Sequence, residues 1–292
     1  MEKFEKAERG AAPWYTFTNK GIVPRLKRLL FLKEKYLIFT LYRLGMKKQV
    51  SAQLFFSKRM VLPLSDPNAQ RIYFTGTLGA PRERNLTAFL ITHLTEHDVF
   101  YDVGANFGFY TFLAETIATN GEVHSFEPNP RVCAYLARNA VGNRVVVNHL
   151  ALSNRSGTAT FFDLVSDSSA SSLIRAETRP EAVYAETVVP VTTLDVYVRD
   201  HTPPSLIKID VEGAERLVLE GGAGVLTRHK PTIILEVWGG ERGAKYHASA
   251  IVLLESLGYR PFRIERDGSV LPVTAIDFRT IRRYENVVFK HV

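Results

Sequence analysis

Val99-Phe100-Tyr101-Asp102-Val103-Gly104-Ala105-Asn106-Phe107-Gly108-Phe109-Tyr110 decides the fold of this chain. An apolar run closes on small residues and reopens with apolar residues. This reads as a buried strand, a tight turn and the first turn of a helix. Gly104 and Gly108 let a ligand approach bare backbone. Asn106 stands where many nucleotide-binding turns have glycine, and asparagine is among the residues that best tolerate a left-handed backbone.

Outward from this stretch the chain alternates. Strands are predicted near 98–103, 122–127, 145–150, 205–210 and 232–238. Helices are predicted near 83–96, 107–119, 129–140, 213–228 and 245–257. Such alternation implies an α/β fold, a parallel sheet with helices on both faces. Two further strands near 259–264 and 286–291 are expected to pair with each other as an antiparallel edge. Residues 155–198, with a serine-rich piece at 166–172, read as a β insert between the third and fourth core strands.

The N-terminal 78 residues stand apart, and the remaining residues 79–292 form the main domain. Residues 1–60 hold 14 Lys/Arg against 4 Asp/Glu, although the whole chain of 292 residues carries a net charge of only +7. The basicity therefore belongs to this segment, and no domain-wide nucleic-acid footprint exists, so no nucleic-acid partner is expected. A helix is predicted from near Pro24 to near Gly45 within residues 22–48, followed by short strands at 51–63 and 70–75. The charges of 22–48 spread around the helix. Packing on the protein body, or on a second copy in a homo-oligomer, is therefore preferred to peripheral membrane contact. Its most apolar run is far shorter than the roughly 20 residues that span a bilayer. No secretory signal is read, and a cytoplasmic location is expected. Cys133 is the only cysteine, which excludes an internal disulfide and a multi-cysteine zinc site.

Four places carry chemistry. Asp102 begins the turn, where a carboxylate would repel a pyrophosphate and favour a cationic cofactor such as S-adenosylmethionine; alternatively it caps the following helix. Glu127, in Phe126-Glu127-Pro128-Asn129, ends the next strand 19 residues after Gly108 and can accept from both hydroxyls of a ribose. Asn129 is a plausible helix cap. In Lys208-Ile209-Asp210-Val211-Glu212-Gly213-Ala214-Glu215 a strand delivers three carboxylates to the sheet edge. Asp210 is expected in the cleft; Glu212 and Glu215 can equally serve as favourable charge at a helix N-terminus. Glu236 should reach the same edge, with Trp238 as a wall for the acceptor. Ser153 is a further candidate for contact with the cofactor's adenine. No histidine pair with metal-ligand spacing has a third ligand, and nothing requires a metal; Asp210 would be the first ligand if one bound.

The run Asp102 to Gly108, the Phe126-Glu127-Pro128-Asn129 segment and the Lys208 to Glu215 block, in this order, resemble the FkbM family of S-adenosylmethionine-dependent methyltransferases over roughly residues 85–240. The resemblance implies a seven-stranded class I methyltransferase fold, Rossmann-like, with the last strand antiparallel. It also implies cofactor contacts around Asp102, Gly104 and Asn106, with Glu127 on the ribose; Ala105, Gly108, Pro128, Asn129, Ser153 and Asp210 complete the candidate set. The expected reaction is O-methylation of a sugar, lipid or secondary metabolite. An in-line displacement at a sulfonium methyl needs alignment and a base for the hydroxyl. The candidate bases, in order, are Asp210, Glu236 and His247. Two rivals remain: a nucleotide-dependent oxidoreductase on the same fold class, and a non-catalytic module that binds membrane or RNA through its basic helix.

Overall fold

The computed structural model describes residues 22–78, 81–142, 144–175 and 183–292, and for 22–32 and residue 81 the backbone only. The chain divides into two compact units, Met1–Ala80 and Pro81–Val292. Among the described residues, no helix is long and apolar enough to cross a membrane.

The first unit holds helix α1 (Ile22–Arg43), an antiparallel pair β1 (Gln49–Gln53) and β2 (Arg59–Pro63), and helix α2 (Pro67–Thr75). The strand expected at 70–75 is thus a helix. The reason lies just upstream, in a segment that reads as a turn. Asp66 accepts from the amides of Asn68 and Ala69, Pro67 occupies the first helical position, and Gly76 closes the helix in a left-handed conformation.

The second unit begins with α3 (Pro81–His93), β3 (Val99–Val103), α4 (Phe109–Ile117), β4 (Glu122–Phe126), α5 (Pro130–Asn139) and β5 (Val145–Asn148). Then come β6 (Ala151–Leu152), β7 (Gly157–Leu164) and β8 (Tyr184–Thr192), which form a three-stranded sheet of their own, and α6 (Leu194–Tyr197). The predicted insert is therefore a small sheet, with β6 paired parallel to β8. Next are β9 (Leu206–Ile209), α7 (Glu215–Gly221), α8 (Ala223–His229), β10 (Thr232–Trp238), α9 (Gly240–Ser256), β11 (Tyr259–Ile264), β12 (Val270–Pro272) and β13 (Tyr284–His291). The single helix expected over 213–228 is two short ones that meet at Gly222.

The main sheet runs β12-β11-β13-β10-β9-β3-β4-β5. This is the class I architecture, mostly parallel with the last strand antiparallel, and β12 adds an eighth short strand. β11 and β13 do pair, but β13 lies inside the sheet between β10 and β11. Because β4 follows on one side of β3 and β9 lies on the other, the strand order reverses between β3 and β9. The crevice outside the carboxyl ends of these strands is where such sheets bind ligands.

Parallel register and a side-chain period of two sort the strand residues onto two faces. Tyr101, Val103, Ile207, Ile209, Ile233, Leu235 and Val237 belong to one apolar core with α7, α8 and α9. Asp102 pairs with Lys208, and Ile209 with Leu235, so Asp102, Lys208, Asp210 and Glu236 share the opposite face. That face carries the charge.

Candidate active site

At the turn after β3, each amide from 104 to 108 donates within the protein. Those of Gly104 and Ala105 go to the carbonyl of Phe126 at 3.0 and 3.1 Å, and that of Gly108 goes to Ala105 at 2.9 Å. The Asn106 amide donates to Glu127 Oε2 at 2.8 Å, and that of Phe107 to Asn106 Oδ1 at 2.9 Å. Asn106 takes φ 51°, the left-handed conformation expected of it. Gly104 has φ 79°, and a Cβ there would sit 1.8 Å from the Asp210 carbonyl oxygen. Only glycine lets the turn close on the end of β9.

Asp102 is 1% exposed. Its Oδ2 accepts from Thr111 Oγ1 at 2.6 Å, and its Oδ1 lies 3.5 Å from Lys208 Nζ. This corrects the expected use of its charge. The carboxylate is compensated by Lys208 inside the protein and does not face the crevice as a bare anion. Nor does it cap the backbone of α4; it holds a side chain in the first turn. Lys208 Nζ also donates to Asp210 Oδ2 at 3.1 Å, so one buried cation bridges two carboxylates. Burial works to lower the Lys208 pKa, but Asp210 and Asp102 outweigh it and hold the ammonium above its ordinary value. Asp210 is partly exposed, at the strand end where it was expected.

Glu127 also lies where it was expected, at the end of β4. Besides the Asn106 amide it accepts from the Asn129 amide at 2.9 Å. Burial pushes its carboxyl up to about 7, against the opposing pull of these two amides. Asn129 caps α5 through Oδ1, and the Pro128 carbonyl accepts from His149 at 3.1 Å. Ser153 directly follows β6. Its amide donates to Thr192, and its carbonyl packs on Gly221 at the far end of α7, where a Cβ would lie 2.0 Å away.

Glu236 accepts from Trp238 Nε1 at 2.8 Å. Desolvation first, then the Asp210 and Glu212 carboxylates, raise its carboxyl well above the ordinary range. Asp210, Glu212 and Glu236 each offer an oxygen within 4.8 Å of the others, a spacing that would admit a divalent cation, with Glu236 in the place of Glu215 among the clustered carboxylates. Glu212 adopts φ 56° and pairs with Arg242 at 3.4 Å. The Arg242 guanidinium lies 3.1 Å over the Trp238 ring. Trp238 is buried beneath it, so the guanidinium covers the ring expected as a wall for the acceptor.

His247 is corrected too. It is fully buried against the edge of Trp238 and 3.4 Å from Glu215 Oε2, and burial lowers its pKa to about 4. With no exposed atom it cannot take a proton from an acceptor in the crevice. Glu215 accepts from the amides of Val211 and Gly213, at 3.2 and 3.1 Å, and so braces the loop that carries Glu212.

Several residues escaped the sequence reading. Glu83 on α3 accepts from Tyr110 at 2.5 Å and from Tyr284 at 2.7 Å, and burial raises its carboxyl. It comes from before the first strand of the main sheet, and no local pattern marks it. Lys208 could have been found, since a lysine inside an otherwise apolar strand demands a buried anion.

The Methyltransferase FkbM domain matches residues 102–261. The chain belongs to this family. A relative with a described activity, the hexuronic acid methyltransferase AglP of Haloferax volcanii, is 28% identical over 161 residues. The match covers 54% of this chain and 63% of the relative, so the chain spans less than two thirds of that protein. Among solved structures, the FkbM methyltransferase of Methylobacillus flagellatus KT is 15% identical with TM-score 0.44, over 77% of this chain and 54% of that one. The M. jannaschii TYW2 structure in complex with AdoMet is 13% identical with TM-score 0.41, over 84% and 88%.

Proposed function

We propose that this FkbM-family chain is an S-adenosylmethionine-dependent O-methyltransferase whose acceptor is a sugar hydroxyl. The observation that carries the reading is the turn at 104–108, whose five amides are all spent internally. A dinucleotide turn must offer free N–H groups to a pyrophosphate. This one instead surrounds the crevice with carboxylates at the ends of β4, β9 and β10. That chemistry suits a ligand with ribose hydroxyls and positive charge and disfavours the oxidoreductase alternative. The acceptor class follows the activity named for the Haloferax relative.

Bound there, S-adenosylmethionine would supply an electrophilic methyl group. Glu127 would accept the ribose hydroxyls, keeping its two amide bonds, since each carboxylate oxygen has two lone pairs. Asp210 and Glu236, adjacent on one face, would orient the acceptor hydroxyl and take its proton as the oxygen forms its bond to carbon. Lys208 holds Asp210 in place, and Arg242 holds Glu212.

Glu127→Ala is expected to weaken S-adenosylmethionine binding about 100-fold, the loss of two hydrogen bonds to a charged group. Isothermal calorimetry measures this, with Glu127→Gln as the variant that spares the fold. Unchanged affinity in both variants would remove the ribose assignment.

The same carboxyl sets a pH dependence. Its pKa is about 7 in the free protein. Hydroxyl donors stabilise the ionised form, so a ligand that supplies them binds better as pH rises through 7 and levels off above it. Affinity is expected to rise up to about tenfold between pH 6 and pH 8, with proton release on binding. Glu127→Gln should flatten the profile. A wild-type affinity independent of pH would contradict the proposal.

A further inference from the structure

The first unit presents a partly apolar, basic face on its helix α1. At 3.6 residues per turn, Lys33, Tyr36, Leu37, Thr40, Arg43 and Leu44 fall on one side of α1 and its C-terminal extension. All six are exposed, Tyr36 by 76%, Leu37 by 58% and Leu44 by 67%. Gly45, with φ 73°, ends the helix, and the Met46 amide returns to the Leu41 carbonyl. This turn carries Met46, 73% exposed, followed by the exposed Lys47 and Lys48. The sequence reading discounted a membrane role because charge is spread around this helix. The structure removes that objection at Lys35, which turns inward. Its ammonium donates to the Tyr73 carbonyl at 2.6 Å and lies 3.3 Å over the Tyr73 ring. Among the described side chains, the outer face is left with apolar groups fringed by Lys33, Arg43, Lys47 and Lys48, against the single acid Glu34.

We propose that this outer face of α1, with the turn at 44–48, docks on an anionic lipid surface. Tyr36, Leu37, Leu44 and Met46 enter the interface, and the four basic side chains meet the headgroups. Apolar insertion with cationic flanks is how helices lie in the plane of a bilayer. The charge complementarity selects a membrane over a second copy of the chain, because a self-association across this face would set four cations against four. Each Lys or Arg near such a surface adds roughly a fivefold gain in partitioning at low salt.

The test is sedimentation of the full chain with sucrose-loaded vesicles of 30% phosphatidylglycerol in phosphatidylcholine, alongside vesicles of pure phosphatidylcholine. Binding is expected to the anionic vesicles, and to weaken at least tenfold in Leu37→Asp and in the Lys47→Glu/Lys48→Glu pair. Circular dichroism and S-adenosylmethionine affinity should stay unchanged, so failure here is separate from failure of the methyltransferase reading. Should Leu37→Asp perturb the fold, Leu44→Ser replaces it. The proposal is overturned by absence of binding to anionic vesicles. It is equally overturned by binding indifferent to the apolar substitutions, by a dimer in sedimentation velocity that Leu37→Asp dissolves, or by RNA that competes the vesicles away through the same residues.

Discussion

Lys208→Met is expected to cost about 3–5 kcal/mol of folding stability, the penalty for stranding a buried charge after its partner is removed. Asp102 is 1% exposed and sits beside Lys208 by strand register, so its carboxylate is held away from water. The thermal midpoint should fall by on the order of 10 °C in scanning calorimetry. The diagnostic is the cycle with Asp102→Asn. If the loss comes from an uncompensated anion, Lys208→Met/Asp102→Asn should recover a large part of it, giving a coupling energy of roughly 1–3 kcal/mol. Additive losses would mean that Lys208 acts through its packing against the Tyr110 ring, 5.5 Å away, and not through charge.

Asp210→Asn is expected to lower kcat by about 10²- to 10⁴-fold, the range for removing a positioned base. The acceptor for this assay comes from a panel of hydroxylated sugars that includes uronic acids. The amide keeps the shape and can still accept from Lys208, so stability should change far less than in Lys208→Met. S-adenosylmethionine binding should remain near normal. Full turnover would take Asp210 out of the chemistry and leave Glu236, whose carboxyl is already raised by desolvation and by its acidic neighbours, as the base. Loss of cofactor affinity in place of turnover would move Asp210 to the cofactor side of the crevice.

The fold was legible because its signals are local. An apolar run of four or five residues, a glycine, and a helix start with Asn129 and Pro130 can each be read within a dozen residues. Where reading failed, a local signal had two meanings. Ser65-Asp66-Pro67-Asn68 serves as a turn or as a helix cap, and the stretch after it reads as a strand where the fold makes a helix. The antiparallel β13 was recognised, but its place between β10 and β11 was not, because strand order is a matter of long-range pairing.

The site divides in the same way. Gly104, Asn106, Glu127, Asp210 and Glu236 are placed at the strand ends by sequence position alone, and the structure holds them there. Burial and partners could not be read. Asp102 reads as a carboxylate for a cationic cofactor, and only the fold sets Lys208 beside it. His247 looked like a base until Trp238 and Glu215 enclosed it. Glu83 joined Tyr110 and Tyr284 from outside every motif.

The amino-acid order by itself determined where the chain turns and which carboxylates arrive at the crevice, since period and turn chemistry act over a few residues. Only tertiary structure decided which charges are spent against one another and which remain for a ligand. A side chain's dielectric surroundings and counter-charge come from strands and helices remote in sequence, and one-residue register sets Asp102 against Lys208 just as it sets Glu236 beside Asp210.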